Sequence, residues 1–211
     1  MSTGIYSQQG NGAKTVSNVR ISYNIFDNIG CSNTDSKGWG VKFAYEGGDD
    51  VISNIDILNN VFIAATIKST MWGISLPLSG VASNVRIRNN IINGFDYTPI
   101  YGNGSAGSID ILSVENNLFY GNGNSNSVLY IIGLVQNNNN TQNNLIADPL
   151  FLSYSDFSLQ QCSPAINMGI NTGLTTDILR HPIVGLPDIG SYEYYVPYNI
   201  GRCKTSDFNR N

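Results

Sequence analysis

At 211 residues, with charged side chains at only 12% and 22 glycines, the chain has the length of one domain and a composition dominated by bends and tight packing. Its formal net charge of −4 argues against a nucleic-acid surface. No run of about 20 apolar residues is present to insert into a membrane. The start lacks the basic, then apolar, order of a secretory signal, and Met1 to Tyr6 reads like the middle of a repeating unit, so a longer parent protein is expected.

Residues 1–16 are rich in glycine and glutamine and lead into a phrase that recurs along the chain. The copies are Val19-Arg20-Ile21-Ser22-Tyr23-Asn24-Ile25-Phe26, Ile55-Asp56-Ile57-Leu58-Asn59-Asn60-Val61-Phe62, Val85-Arg86-Ile87-Arg88-Asn89-Asn90-Ile91-Ile92 and Leu112-Ser113-Val114-Glu115-Asn116-Asn117-Leu118-Phe119. A shorter fifth copy keeps Asn143-Asn144-Leu145-Ile146. Aligned on Asn24, Asn60, Asn90, Asn117 and Asn144, they stand 36, 30, 27 and 27 residues apart. A period of this size marks an array whose unit cannot fold alone.

Within each copy the apolar residues alternate with polar ones, which is the signature of a strand with one buried face. Apolar residues follow the asparagine directly, so the alternation continues only if the chain bends there. Asparagine tolerates the left-handed conformation of such a bend. Stacking the copies pairs equivalent strands in parallel, and the rest of each period supplies the crossover. Asparagine side chains stacked over one another can bond amide to amide along the axis. The pattern resembles the right-handed parallel β-helix of the pectate-lyase-like proteins, with their asparagine ladder. That resemblance, together with the general crossover rule, implies an all-β, single-stranded right-handed solenoid. The period predicts about six or seven coils.

A polar loop from Cys31 to Lys37 precedes Gly38-Trp39-Gly40-Val41-Lys42-Phe43, and similar segments recur at Met71-Trp72-Gly73-Ile74-Ser75-Leu76 and Ile100-Tyr101-Gly102. Val128 to Ile132 continues the series as a second strand of each coil. Trp39, Trp72 and Tyr101 are the candidate carbohydrate-binding residues, because aromatic faces pack on sugar rings. The phase of Trp39 with Val41 and Phe43, and of Trp72 with Ile74 and Leu76, instead points the tryptophans inward as a buried stack. A bend at the glycine resets that phase. Between these segments, Glu46, Asp49 and Asp50 read as an exposed turn.

Arg20, Asp56 and Arg86 alternate in sign from copy to copy, a charge ladder across neighbouring strands. Lys42, Arg86 and Arg88 are the candidate catalytic cations. A lyase needs a cation to neutralise a uronate carboxylate and a base to take the adjacent proton. Whether Lys42 converges with the two arginines cannot be read from spacing. The sole histidine, His181, lies outside the repeats, and paired carboxylates suited to glycoside hydrolysis are absent from them.

Residues 136–144 form an asparagine- and glutamine-rich tract that is expected to end the regular array. Asp148-Pro149-Leu150-Phe151, Asp156-Phe157-Ser158-Leu159-Gln160, Ser163-Pro164-Ala165-Ile166-Asn167-Met168-Gly169 and Asp188-Ile189-Gly190-Ser191-Tyr192-Glu193-Tyr194 then follow in order. They resemble the carboxy-terminal region of bacterial secreted or surface β-helix proteins, some related to polysaccharide lyases. The expected organisation is coils over residues 1–147, a final coil and closing cap over 148–194 in which Leu150, Phe151, Leu159 and Ile166 cover the last coil, and a tail over 195–211. Asp156, Asp177 and Asp188 carry oxygens suited to Ca²⁺, but the commoner role of aspartate is to bond its own turn, and no cofactor or metal site is assigned. Cys31, Cys162 and Cys203 lack metal-ligand spacing and leave their disulfide pairing open.

The resemblance implies an extracellular or cell-surface module that faces or binds polysaccharide without a complete active site. Two alternatives stay open: a polysaccharide lyase acting on acidic glycans by β-elimination, and a structural or adhesive spike such as a phage tail protein on a virion surface. The expected partner is a polysaccharide or glycan, with no nucleic acid and no membrane insertion. The oligomeric state is left open.

Overall fold

The computed structural model describes residues 2–7, 15–30, 38–43, 51–65, 71–76, 80–103, 107–123, 129–132 and 135–195. The polar loop at Cys31, the acidic group Glu46, Asp49 and Asp50, Val128, Cys203 and the tail beyond Tyr195 lie outside them. Among the described residues there is no helix. The first circuit of the chain comprises β1 (Ser2–Ser7), β2 (Thr15–Ser22) and β3 (Ile25–Ile29). The second comprises β4 (Gly38–Phe43), β5 (Val51–Leu58) and β6 (Val61–Ala64), and the third β7 (Met71–Ser75), β8 (Val81–Arg88) and β9 (Ile91–Asn93). The fourth holds β10 (Ile100–Asn103), β11 (Ser108–Glu115) and β12 (Leu118–Tyr120). The fifth holds β13 (Leu129–Ile132), β14 (Val135–Asn137), β15 (Asn140–Gln142) and β16 (Leu145–Ile146).

The first sheet runs β1-β4-β7-β10-β13, the second β2-β5-β8-β11-β14 with β15 also on β11, and the third β3-β6-β9-β12-β16. Every strand pairs in parallel with its equivalent one circuit away. Arg20 stands beside Asp56, Asp56 beside Arg86, Arg86 beside Ser113 and Ser113 beside Asn140. The aligned phrases therefore do lie over one another. Among the described residues five circuits are present where the period predicted six or seven, and residues 148–195 add no strand to the three sheets. The asparagine-rich tract, expected to end the array, supplies β14 and β15 of the fifth circuit, the last among the described residues.

The interior is filled by the alternating residues of the phrase, with Ile55, Val85 and Leu112 in one column and Ile21, Ile57, Ile87 and Val114 in the next. Phe26, Phe62, Ile92 and Phe119 of the third sheet face them, and the Phe26 and Phe62 rings stack at 4.6 Å. These large side chains cross a narrow interior. A Cβ on Gly40 would lie 2.5 Å from the Phe62 ring, and one on Gly73 would lie 2.7 Å from Ile92. The glycines of the first sheet thus serve close approach rather than a bend.

The bend between the second and third sheets uses both residues of the Asn-Asn pair, for different purposes. The left-handed residue is the one before the aligned asparagine: Tyr23, Asn59, Asn89, Asn116 and Asn143 have φ of 52–58°. The expectation placed it at the aligned asparagine itself. That residue instead turns its amide into the stack, where Asn24 donates to Asn60 at 3.1 Å, Asn60 to Asn90 at 2.9 Å, Asn90 to Asn117 at 2.9 Å and Asn117 to Asn144 at 3.0 Å. Each acceptor Oδ1 also takes the backbone N–H of the preceding asparagine in the column, at 2.9–3.0 Å. Asn60, Asn90 and Asn117 are fully buried, so these bonds satisfy groups that would otherwise be costly.

A second left-handed corner interrupts the long strands of the second sheet at Asn18, Asn54, Asn84, Ile111 and Asn138. Asn54 donates to Asn18 at 3.2 Å and Asn84 to Asn54 at 2.7 Å. Ile111 breaks this column, since a β-branched side chain disfavours a φ of 57°.

Residues 148–195 pack along the stack, and Leu159, Phe151 and Ile166 share one apolar cluster with Leu145 of the fifth circuit. Phe157, Leu159, Ala165 and Ile189 pack on Val61, Ile91 and Leu118, the outward residues of the third sheet across three successive circuits. The segment is pinned at the bends. Asn89 donates to the Ile170 carbonyl at 2.7 Å and accepts its N–H at 2.9 Å, Asn116 donates to the Met168 carbonyl at 2.9 Å, and the Ser191 hydroxyl reaches the Asn59 carbonyl at 3.0 Å.

Candidate functional site

The first and second sheets carry the candidate residues on their outer faces. Trp39 pairs with Trp72 across β4 and β7, and their rings stack at 5.4 Å, 11° from parallel. The alternation pointed them inward. Yet Gly40 and Gly73 face Phe62 and Ile92 in the interior, which turns the preceding tryptophans outward, and the inward Val41 and Ile74 follow only after a slip in phase. The Lys42 ammonium, 3.9 Å above the Trp39 ring, shares that outer face. Both tryptophans are nevertheless covered, with exposures of 5% and 7%.

Tyr101 does not share their register. It pairs with Ser75, the partner of Lys42, so it sits further along the strand direction than Trp72. Its ring still reaches Trp72 at 5.1 Å. A fourth ring, Tyr97, touches Trp72 at 5.3 Å and is 45% exposed, which makes it the accessible end of the group. Tyr97 lies in the connection after β9, outside every repeat, and no periodic signal marks it. The Trp72 indole N–H is buried without a hydrogen-bond partner among the described residues.

The cations do not assemble into one centre. Lys42 lies on the first sheet, while Arg86 and Arg88 lie on β8 of the second. Arg86 Nε donates to Asp56 at 2.6 Å, and Arg20 approaches the other oxygen of Asp56 at 3.3 Å. Arg88 sits 2.7 Å from Glu115 and donates to the Ser113 hydroxyl at 3.0 Å. Glu115 is buried, and besides Arg88 it accepts from Ser113 at 2.6 Å, from Asn140 at 2.6 Å and from Gln142 at 2.8 Å. Burial opposes ionisation of Glu115, but the Ser113 hydrogen bond and the Arg88 charge outweigh it and hold its carboxyl below the usual range. This is a satisfied network that ties three circuits together, and both arginines arrive at the surface already paired.

In the flanking segment the aspartates bond backbone. Asp177 Oδ1 accepts the N–H groups of Leu179 and His181, each at 2.8 Å, Asp156 accepts that of Ser158 at 3.0 Å, and Asp188 accepts those of Asn167 and Tyr194. His181 Nδ1 lies 3.3 Å from Asp177, and its ring packs on Tyr195 at 5.1 Å. Among the described residues no cluster of three or more His, Cys, Asp or Glu is placed to hold a metal ion. Glu193 accepts the Asp188 N–H at 3.0 Å, and burial, aided by the charges of Asp188 and Asp177, pushes its carboxyl up to about 7.

Set against protein-family models, curated proteins and solved structures, the chain matches none.

Proposed function

We propose that this chain is a right-handed parallel β-helix module of an extracellular or cell-surface protein, that it faces or binds polysaccharide, and that it lacks a complete active site of its own. The observation that carries the reading is the group of four rings on the outer face of the first sheet. Trp39 and Trp72 form a rigid stack, Tyr97 extends it to the surface, and Lys42 adds polar character. Flat apolar faces with a few hydrogen-bonding groups suit sugar rings, which present C–H faces and equatorial hydroxyls.

Three further features support the reading. Right-handed connection is the rule for parallel strands in one sheet. The disulfide at Cys162 belongs to an oxidising compartment. Arg86 and Arg88 are engaged by Asp56 and Glu115, so neither stands ready as the base of an elimination.

A glycan array followed by tryptophan-fluorescence titration tests the proposal. Binding that falls when Tyr97 is replaced by alanine supports it, and a blank array across neutral and acidic glycans removes it. Unsaturated product from alginate or pectate, lost on Arg88→Ala, would replace it with a lyase.

A further inference from the structure

A different part of the surface carries a cleft that the repeats do not explain. It lies between the outer face of the third sheet and the turn that opens the flanking segment, and its volume is about 450 Å³, within the range of small-molecule sites. One wall is a column set by strand register: Ile63 stands beside Asn93, and Asn93 beside Tyr120. The opposite wall is a small hairpin over residues 150–160. It is closed by Leu152 N–H to Ser158 at 2.9 Å, Gln160 N–H to Leu150 at 2.9 Å and the antiparallel bridge of Phe151 with Leu159. Phe151 and Phe157 meet edge to face at 5.3 Å behind it.

The chemistry of these walls is mixed in a specific way. Tyr120 is 40% exposed, and the charge of the Asp148 carboxylate pushes its phenol up. Tyr154, at the hairpin tip, is wholly exposed, so packing gives no reason for an aromatic ring there. Polar groups converge between them. Gln160 is fixed by its amide bond to the Phe151 carbonyl at 2.6 Å, which leaves its oxygen to accept, and the Asn93 amide makes no side-chain hydrogen bond among the described residues. The only charged residue among the described residues of the lining is Asp148, an anion.

From this juxtaposition we infer that the cleft between the Asn93–Tyr120 column and the 150–160 hairpin binds a short stretch of neutral oligosaccharide. Tyr120 and Tyr154 supply the ring faces, and Asn93, Gln160 and Asp148 hydrogen-bond the hydroxyls. The inference rests on the polysaccharide reading above and adds a second place and a charge preference. A uronate would bring its carboxylate toward Asp148 with no cation among the described residues of the lining to receive it, so neutral glycans are preferred.

The test is calorimetric titration of the full chain with maltotriose, cellotriose, xylotriose, chitotriose and trigalacturonate, for the parent and for Tyr154→Ala, Tyr120→Ala, Asp148→Asn and Tyr97→Ala. At least one neutral trisaccharide is expected to bind. Tyr154→Ala, at a fully exposed site that leaves the melting transition unchanged, is expected to weaken it about tenfold. Trigalacturonate is expected not to bind the parent's cleft, and Asp148→Asn to admit it. Trisaccharide binding that survives both Tyr154→Ala and Tyr120→Ala, or that Tyr97→Ala removes, overturns the cleft while the polysaccharide reading stands. Binding of glycans on the array with no trisaccharide bound also overturns the cleft alone. Silence from trisaccharides and array together overturns both.

Discussion

The stacked circuits and the flanking segment reach stability by opposite means. In the stack, each important side chain meets a copy of itself 27–36 residues away, and the asparagine column is the extreme case. In residues 148–195 nothing repeats. Buried aspartates there accept backbone N–H groups, and a few apolar residues lie on outward positions of the third sheet. Periodic contacts are cumulative, since each circuit is held by both neighbours. The flank depends on single anchors, and the two regions should respond differently to loss of one amide.

The largest effect is expected in the stack. Asn90→Ala leaves the Asn60 amide, the Ile57 carbonyl and the Asn117 oxygen short of a buried partner and should cost about 3–5 kcal/mol in denaturant unfolding. Its neighbour Asn89 offers the contrast. Asn89→Gly keeps the left-handed backbone but removes both side-chain bonds to Ile170, and should cost about 2 kcal/mol while opening the flank to protease before the stack. Equal protection of both regions in that variant would show that they unfold as one unit.

A gain is expected where the repeat is broken. Ile111→Asn relieves a β-branched residue at φ 57° and places an amide in the column beside Asn84, so it should stabilise by about 1 kcal/mol, read as a raised melting temperature. The smallest effect is a pH slope confined to the flank. The Glu193 carboxyl is raised from 4.5 to about 7, so its protonated form is the one the fold favours. That contribution is full below about 4.5 and is lost as pH rises through about 7. Glu193→Gln should flatten this part of the stability curve, and an unchanged curve would remove Glu193 as its source.

What the sequence made legible follows the same division. The strand pairing, the apolar columns and the asparagine column could be read because registration in space copies registration in the chain. A second corner is equally periodic: Ser17-Asn18, Ser53-Asn54 and Ser83-Asn84 precede the first three copies of the phrase. At the tryptophans the expected buried stack is present but on the outer face, because Gly40 and Gly73 admit Phe62 and Ile92 so closely that two successive residues face inward. Tyr97 and the hairpin carrying Tyr154 had no period to reveal them. The flank's path was hidden for a related reason: Val61, Ile91 and Leu118 are apolar on an outer face, and alternation alone cannot say what covers it.

The claim beneath all of this is that residues 30 apart in the chain share a hydrogen bond along an axis. A double-mutant cycle on Asn60→Ala and Asn90→Ala measures it, since Asn60 donates to Asn90 at 2.9 Å. The account requires a coupling of about 1–2 kcal/mol between them. Strict additivity of the two losses would mean that these asparagines do not meet, and that the copies are not stacked.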